Sequence, residues 1–397
     1  MSDVPLDAPV QSDLKIKWYR TKLEAAVLRQ MTARSDAKGL AQALGHLLLY
    51  LATGALTFWS WSAQVWVGFA VALWCHGAVA SFMHGTATHE LGHGTVFRTK
   101  WPNRFFLSLF SLLGWWNHVD YAVSHTYHHR FTLYPEADRE NVLPLSPVPG
   151  FLMLLQLCTV NLFVPAGRTF GSGGFFALLL HNLRLALGLR PRSKAPSIRW
   201  VDALHRDQPA EARRSVRWAR ITVLFHAAVI AAGTASGLWV LPIIITLGPF
   251  IANIVRFSVG IAQHSGMRLR DPDFRKVARS MRLGPVLTFL YWRMNWHCEH
   301  HMYAAVPFYN LPKLAKHIAW DLPVPKGLVG TWKQMLEIRR RQEEDPSYEF
   351  DMPLPATATA VSAAGGAAAS EPSEAGPEKK DDDLSSSIGD LAPTGLE

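Results

Sequence analysis

Two stretches early in the chain leave little freedom in how it can fold. LAQALGHLLLYLATGALTFWSW (residues 40–61) and VWVGFAVALWCHGAVASFM (65–83) are almost free of charge, and only a few residues part them. A bilayer core is about 30 Å thick, so a helix needs about 20 apolar residues to cross it. Within that core every backbone N–H and C=O must find a partner inside the segment, which makes such a run helical. The pair predicts a tight membrane-spanning hairpin.

ITVLFHAAVIAAGTASGLW (221–239) and VLPIIITLGPFIANIV (240–255) abut at a Gly/Ser-containing break and predict a second hairpin. FFLSLFSLLGWW (105–116) is too short to span and reads as interfacial. PGFLMLLQLCTVNLFVPAG (149–167) is long enough but broken by Asn161 and Pro165, and 174–189 also looks interfacial. The expected fold is an all-α integral membrane protein, with about four transmembrane helices in two hairpins, interfacial helices and a cytoplasmic histidine-rich cap. It occupies residues 40–352, between a cytoplasmic N-terminal arm (1–39) and a C-terminal tail (353–397). The Ala/Ser/Pro/Glu-rich tail predicts disorder, because it holds too little apolar surface to build a core.

Composition agrees. Charged residues make up 18% of the chain, against about 25% in soluble proteins. The 15 tryptophans suit interfacial belts. The formal charge of +9 understates the basic body, since the tail is acidic. No nucleic-acid motif accompanies that charge. Lys and Arg instead flank the spans at 15–38, 98–104, 184–220 and 256–276, which the positive-inside rule places in the cytoplasm with both termini. Cys75, Cys158 and Cys298 are far apart and give no disulfide framework or CxxC metal site.

The chemistry lies in the 17 histidines, most of which cluster. HELGH carries His89 and His93; HTYHH carries His125, His128 and His129; HCEHH carries His297, His300 and His301. Spacings of three and four put the rings of each cluster on one helical face. Eight imidazoles buried without partners would each cost about 1–3 kcal/mol, and a shared metal centre satisfies them together. HELGH alone also matches the HExxH pattern of zinc proteases. A four-coordinate zinc ion, however, leaves two clusters unexplained, so the residues imply two ions. Imidazole suits Fe, Cu, Zn and Ni alike. A membrane protein whose histidines bind or carry ions is a further alternative. The lone His46, His76, His181 and His226 read as packed residues and His205 and His317 as surface ones. His84 and His118 lie near enough for contacts behind the ligands.

The three boxes in this order, with one hairpin before the first and another between the second and third, resemble the integral-membrane fatty acid desaturase and hydroxylase superfamily over roughly residues 40–320. The flank HHMYAAVPFYNLPKLAKHI resembles bacterial members, including the rhizopine-oxygenase-like group. The resemblance implies a non-haem di-iron centre at the cytoplasmic face, most simply of a bacterial inner membrane. There O2 and two electrons attack an unactivated C–H bond of a lipid or acyl substrate. Loss of a second hydrogen gives an alkene, and return of oxygen gives an alcohol, so a hydroxylase or monooxygenase acting on a lipid, alkyl or smaller substrate is the alternative to a desaturase.

The family's ligand positions carry over to the eight box histidines and to His264 in GIAQHSG, with Gln263 as the fallback. Glu90, Glu136, Asp138 and Glu299 are the acids placed to hold imidazole N–H groups. Cys298 is expected to point away. No HPGG-type haem motif or Cys-rich rubredoxin segment stands in the sequence, so a separate donor of ferredoxin, rubredoxin or cytochrome type is expected. The basic loops at 184–220 and 268–282 offer it a docking face.

Overall fold

A computed structural model describes residues 14–141, 145–191 and 194–356. The tail beyond residue 356 lies outside the described residues. The protein is almost wholly helical. After the short α1 (Ala25–Met31), α2 (Asp36–Ser62) and α3 (Trp66–Ser81) form the first hairpin. Ser35 starts α2, its Oγ accepting from Lys38 N at 3.4 Å. Gln64, at φ 61°, makes the tight turn between the two helices. Leu48, Leu51, Val67 and Val71 are exposed on the pair, as a lipid-facing surface requires.

Among the described residues, three helices are long and apolar enough to cross a membrane: Ala25–Ser62, Trp66–Gly92 and Pro209–Ala235. The second passes through a widened turn at Met83–Ala87, where Gly85 takes φ 70°, and ends in α4 (Thr88–Gly92). α5 (Lys100–Leu113) and α6 (His118–Phe131) follow. The ambiguous stretch 149–167 forms only the short α7 (Phe151–Cys158) and then runs extended. α8 (Phe175–Ala186) and α9 (Pro196–Asp207) lead into α10 (Pro209–Ala235), the third candidate span.

The expected fourth span differs in detail, because it is not one continuous helix. α11 (Val240–Pro242) continues through a widened helical turn at Ile243–Leu247 and a tightened one at Gly248–Phe250, and the chain is non-helical at Ile251 and Ala252 (φ 51°) before α12 (Ile254–Gly260). The freed backbone groups are paired inside the protein. Ala252 N donates to Thr159 O at 2.9 Å, and Asn161 N donates to Phe250 O at 2.7 Å. Asn161 Nδ2 also donates to Asn253 Oδ1 at 3.0 Å. Irregular backbone survives at such depth only when protein supplies these partners. Gly77 makes room, since a Cβ there would meet Ile251 Cβ at 2.4 Å.

The remainder folds into the cap. α13 (Phe274–Val277), α14 (Pro285–Leu290), α15 (His297–Met302), α16 (Leu311–His317) and α17 (Leu328–Glu344) pack with one short parallel strand pair, β1 (Met281–Arg282) and β2 (Lys326–Gly327). The described part of the N-terminal arm forms the short surface helix α1 and packs against this cap. Trp18 stacks on Phe274 at 4.1 Å between ring centroids, and Thr21 donates to the Asp321 carboxylate at 2.5 Å. His46, His76 and His226 are packed as expected, each bonded to a backbone carbonyl: Val79, Ile244 and Leu112.

Candidate metal centre

α4, α6 and α15 present their histidines to one another, and the turn after α12 adds His264. In α6 and α15 the spacing of three and four residues puts the rings on a single face. His89 lies in α4 with His93 one turn on. All nine histidines singled out from the sequence fall into two groups able to hold a metal ion: His89, His93, His125, His129 and His300, and then His128, His264, His297 and His301. His93 and His129 are half-buried and the rest are buried. The groups abut, with the His129 and His301 rings stacked at 4.5 Å.

The nitrogens that converge are the Nε2 atoms. In the five-histidine group His89 and His300 are 2.8 Å apart, His125 and His93 3.0 Å, His93 and His89 3.2 Å, and His300 and His129 3.2 Å. In the four-histidine group His297 lies 2.9 Å from His264 and 3.1 Å from His301. Two nitrogens each about 2.1 Å from one ion stand about 3.0 Å apart at a right angle and about 3.4 Å apart at the tetrahedral angle. The observed spacings are close to those of nitrogens that share one ion.

The outer nitrogens decide which way the lone pairs face. His264 Nδ1 donates to Val277 O at 2.8 Å, and His128 Nδ1 to Asp138 Oδ2 at 2.9 Å. Thr132 spends its hydroxyl proton on His128 O at 2.6 Å, so its oxygen accepts from His301 Nδ1 at 3.2 Å. His125 Nδ1 donates to Glu140 Oε2 at 2.5 Å and His89 Nδ1 to Tyr121 Oη at 2.9 Å. A neutral imidazole with its proton on Nδ1 carries a lone pair on Nε2. Inward lone pairs about 3 Å apart repel unless a cation lies between them, so the residues fit a metal. Burial keeps the rings neutral, pushing His93 down to about 4 and His264 to about 3. His128 differs: burial lowers it too, but Asp138 and Glu140 outweigh that and raise it.

The expected acids divide. Asp138 holds His128. Glu90 is buried with Oε1 3.9 Å from both His89 Nε2 and His300 Nδ1, beyond hydrogen-bond length but close enough to offset positive charge. Glu136 instead turns outward to Arg270, at 3.2 Å, because the loop after α6 reverses at Leu133 (φ 57°). Glu299 accepts from Ser280 Oγ behind the ligand helix and holds no imidazole. Gln263 sits with its side-chain amide 3.1 Å from His297 Nδ1, while His264 supplies the converging nitrogen. Cys298 points away, its thiol 3.5 Å from Phe274 O. His84 stacks on Trp116 and His118 packs on Trp218, so neither backs the ligands. His205 is no free surface residue: it bonds Asp120 Oδ1 at 2.6 Å.

Sequence reasoning missed Glu140, Tyr121 and Thr132. Tyr121 was detectable, one turn before His125 on the same helical face. Glu140 and Thr132 lie beyond the helix-spacing signal.

Apolar helices of membrane-spanning length beside a set of buried, convergent imidazoles define a helical membrane protein with histidine groups able to hold metal. The fatty acid desaturase family model matches residues 60–329, more than half of the chain, and the protein belongs to that family. Membership makes it an oxidoreductase of the desaturase and hydroxylase type. A comparison with curated proteins finds no match.

Proposed function

We propose that this protein is a membrane-bound, O2-dependent di-iron oxidoreductase that introduces a double bond into the acyl chain of a lipid. The observation that carries the reading is the pair of abutting Nε2 clusters, five imidazoles and four. Five imidazoles in one group exceed the three or four protein ligands of a tetrahedral zinc site, which supports iron. The net change would be –CH2–CH2– plus O2, two electrons and two protons to –CH=CH– plus two waters. When bound, the irons would supply the redox chemistry that activates O2 towards an unactivated C–H bond.

The chain's own groups would orient and insulate that centre. Glu140, Asp138, Val277 O and Thr132 hold imidazole Nδ1–H groups and so aim Nε2 inward. Tyr121 accepts from His89 and donates to Glu140 at 3.3 Å, linking two ligands through one hydroxyl. Glu90 offsets the positive charge of the centre from within the protein. Phe82, Met83 and Leu91, all fully buried, keep water from the membrane side of the site. The Lys- and Arg-rich segments that flank the spans support a cytoplasmic site; the reading places it in a bacterial inner membrane, served by a separate ferredoxin-, rubredoxin- or cytochrome-type donor.

The test is metal analysis of the purified protein together with lipid profiling of an expressing host. The expected result is about two irons per chain, in keeping with two ligand groups, and acyl chains lacking two hydrogens. Products that gain one oxygen would replace the desaturase by a hydroxylase. A single zinc whose content survives His300→Ala would overturn the di-iron reading.

A further inference from the structure

An open cleft of about 840 Å³ lies between the end of α8, α9 and the first half of α10, away from the metal centre. Five arginines line it (Arg190, Arg206, Arg213, Arg217 and Arg220), against one carboxylate, Asp202. Arg213, Arg217 and Arg220 recur at spacings of four and three on α10, so they share one face. Like charges at that spacing destabilise a helix, so folding alone gives no reason for the stripe. Among the described residues the lining carboxylate does little to relieve it, since Asp202 pairs with Arg206 at 4.0 Å with both groups partly exposed. Arg220 is held in place by donating Nε to Ala186 O, in the last turn of α8, at 2.8 Å.

The cleft is not charged throughout: the buried Leu185, the half-buried Val216 and the exposed Leu189 also line it. Just past the arginines, α10 turns apolar, with Ile221 and Leu224 exposed at 50% and 69%. The basic half of α10 thus ends where its apolar half begins, the level at which lipid headgroups sit.

We infer that this cleft seats the phosphate of an anionic membrane lipid, with its acyl chains running down over Ile221 and Leu224. Guanidinium forks match phosphate oxygens in bidentate fashion. The leucines and valine in the lining and the adjoining apolar face of α10 favour a lipid over an acidic protein, which would need only the arginines. His205, on the cleft wall, bonds Asp120 of α6, so lipid binding would brace the helix that carries the second histidine box.

The experiment is native mass spectrometry of the full chain in detergent, titrated with phosphatidylglycerol, phosphatidylcholine or inorganic phosphate. The wild type should prefer phosphatidylglycerol by about tenfold or more, as two or more charge-assisted contacts allow. Arg213→Gln/Arg217→Gln should lose that preference. Arg339→Gln/Arg340→Gln, which removes the same charge from exposed positions of α17, should keep it. Equal binding of the two lipids, equal loss in both double variants, or displacement of phosphatidylglycerol by an equal concentration of inorganic phosphate would overturn the proposal. So would a cleft variant that keeps its lipid preference yet loses binding of an acidic electron-donor protein.

Discussion

Glu140 offers the sharpest test of how the imidazoles are aimed. Its Oε2 lies 2.5 Å from His125 Nδ1, and its Oε1 accepts from Tyr121 at 3.3 Å. Glu140→Gln keeps an oxygen that can accept from His125 and removes only the charge. Glu140→Ala leaves the Nδ1 proton with Tyr121 alone, at 3.4 Å, so the ring can change tautomer or rotate away. Groups that hold a metal-bound histidine from behind are worth about 10–100-fold in metal affinity, or about 1.4–2.7 kcal/mol. Glutamine should fall near the lower end and alanine near the upper. Burial already pushes the Glu140 carboxyl up to about 7, so neutralising it should cost the metal-free fold little. The assay is metal retained per chain against rising chelator, with the melting temperature of the metal-free protein as the folding control. One metal should leave early in Glu140→Ala while the other keeps its wild-type midpoint, because His125 belongs to only one group. Wild-type retention of both metals, or equal weakening of both, would refute the reasoning.

Three further outcomes are expected. His264→Ala should lower bound metal towards one per chain and abolish turnover, whereas Gln263→Ala should keep both metals with weaker retention; elemental analysis of the two variants separates these roles. Gly77→Ala would drive a Cβ against Ile251 Cβ and its carbonyl oxygen, at 2.4 and 2.7 Å. Overpacking of this kind costs about 1–3 kcal/mol, read as a lower midpoint of denaturation in mixed micelles. His205 is raised above its ordinary 6.5, the hydrogen bond and charge of Asp120 outweighing the effect of burial. A raised histidine stabilises the fold fully below 6.5 and loses that contribution as pH rises through the higher folded value. Asp120→Asn should flatten this part of the stability profile, and an unchanged slope would contradict the pair.

The histidines were legible because helical spacing is a local property. A residue three or four places on must share a face, whatever the rest of the chain does. The hydrogen-bond partners behind the rings were legible only in part: Asp138 was expected, whereas Glu140 and Thr132 come from the turn after α6, where no regular spacing applies. Glu136 and Glu140 look interchangeable in sequence. What separates them is Asp138, whose carboxylate accepts from the backbone of Leu133, Glu140 and Asn141 at 2.8–3.1 Å. That winding sends Glu136 out to Arg270 and Glu140 in to His125.

The broken fourth span follows the same logic. Pro242, Gly248 and Pro249 were visible as helix breakers, yet hydropathy scores side chains, while continuity of a buried helix depends on what pairs with the backbone. The partners are Thr159 and Asn161, about ninety residues upstream, in the stretch where Asn161 had read only as an interruption. An asparagine that spoils one candidate span supplies the bonds that allow the other to break. Replacing it with Ala would leave the side-chain oxygen of Asn253 without its 3.0 Å donor at that depth, so the break and the placing of α12 ahead of His264 depend on a residue that no reading of 240–264 alone would name.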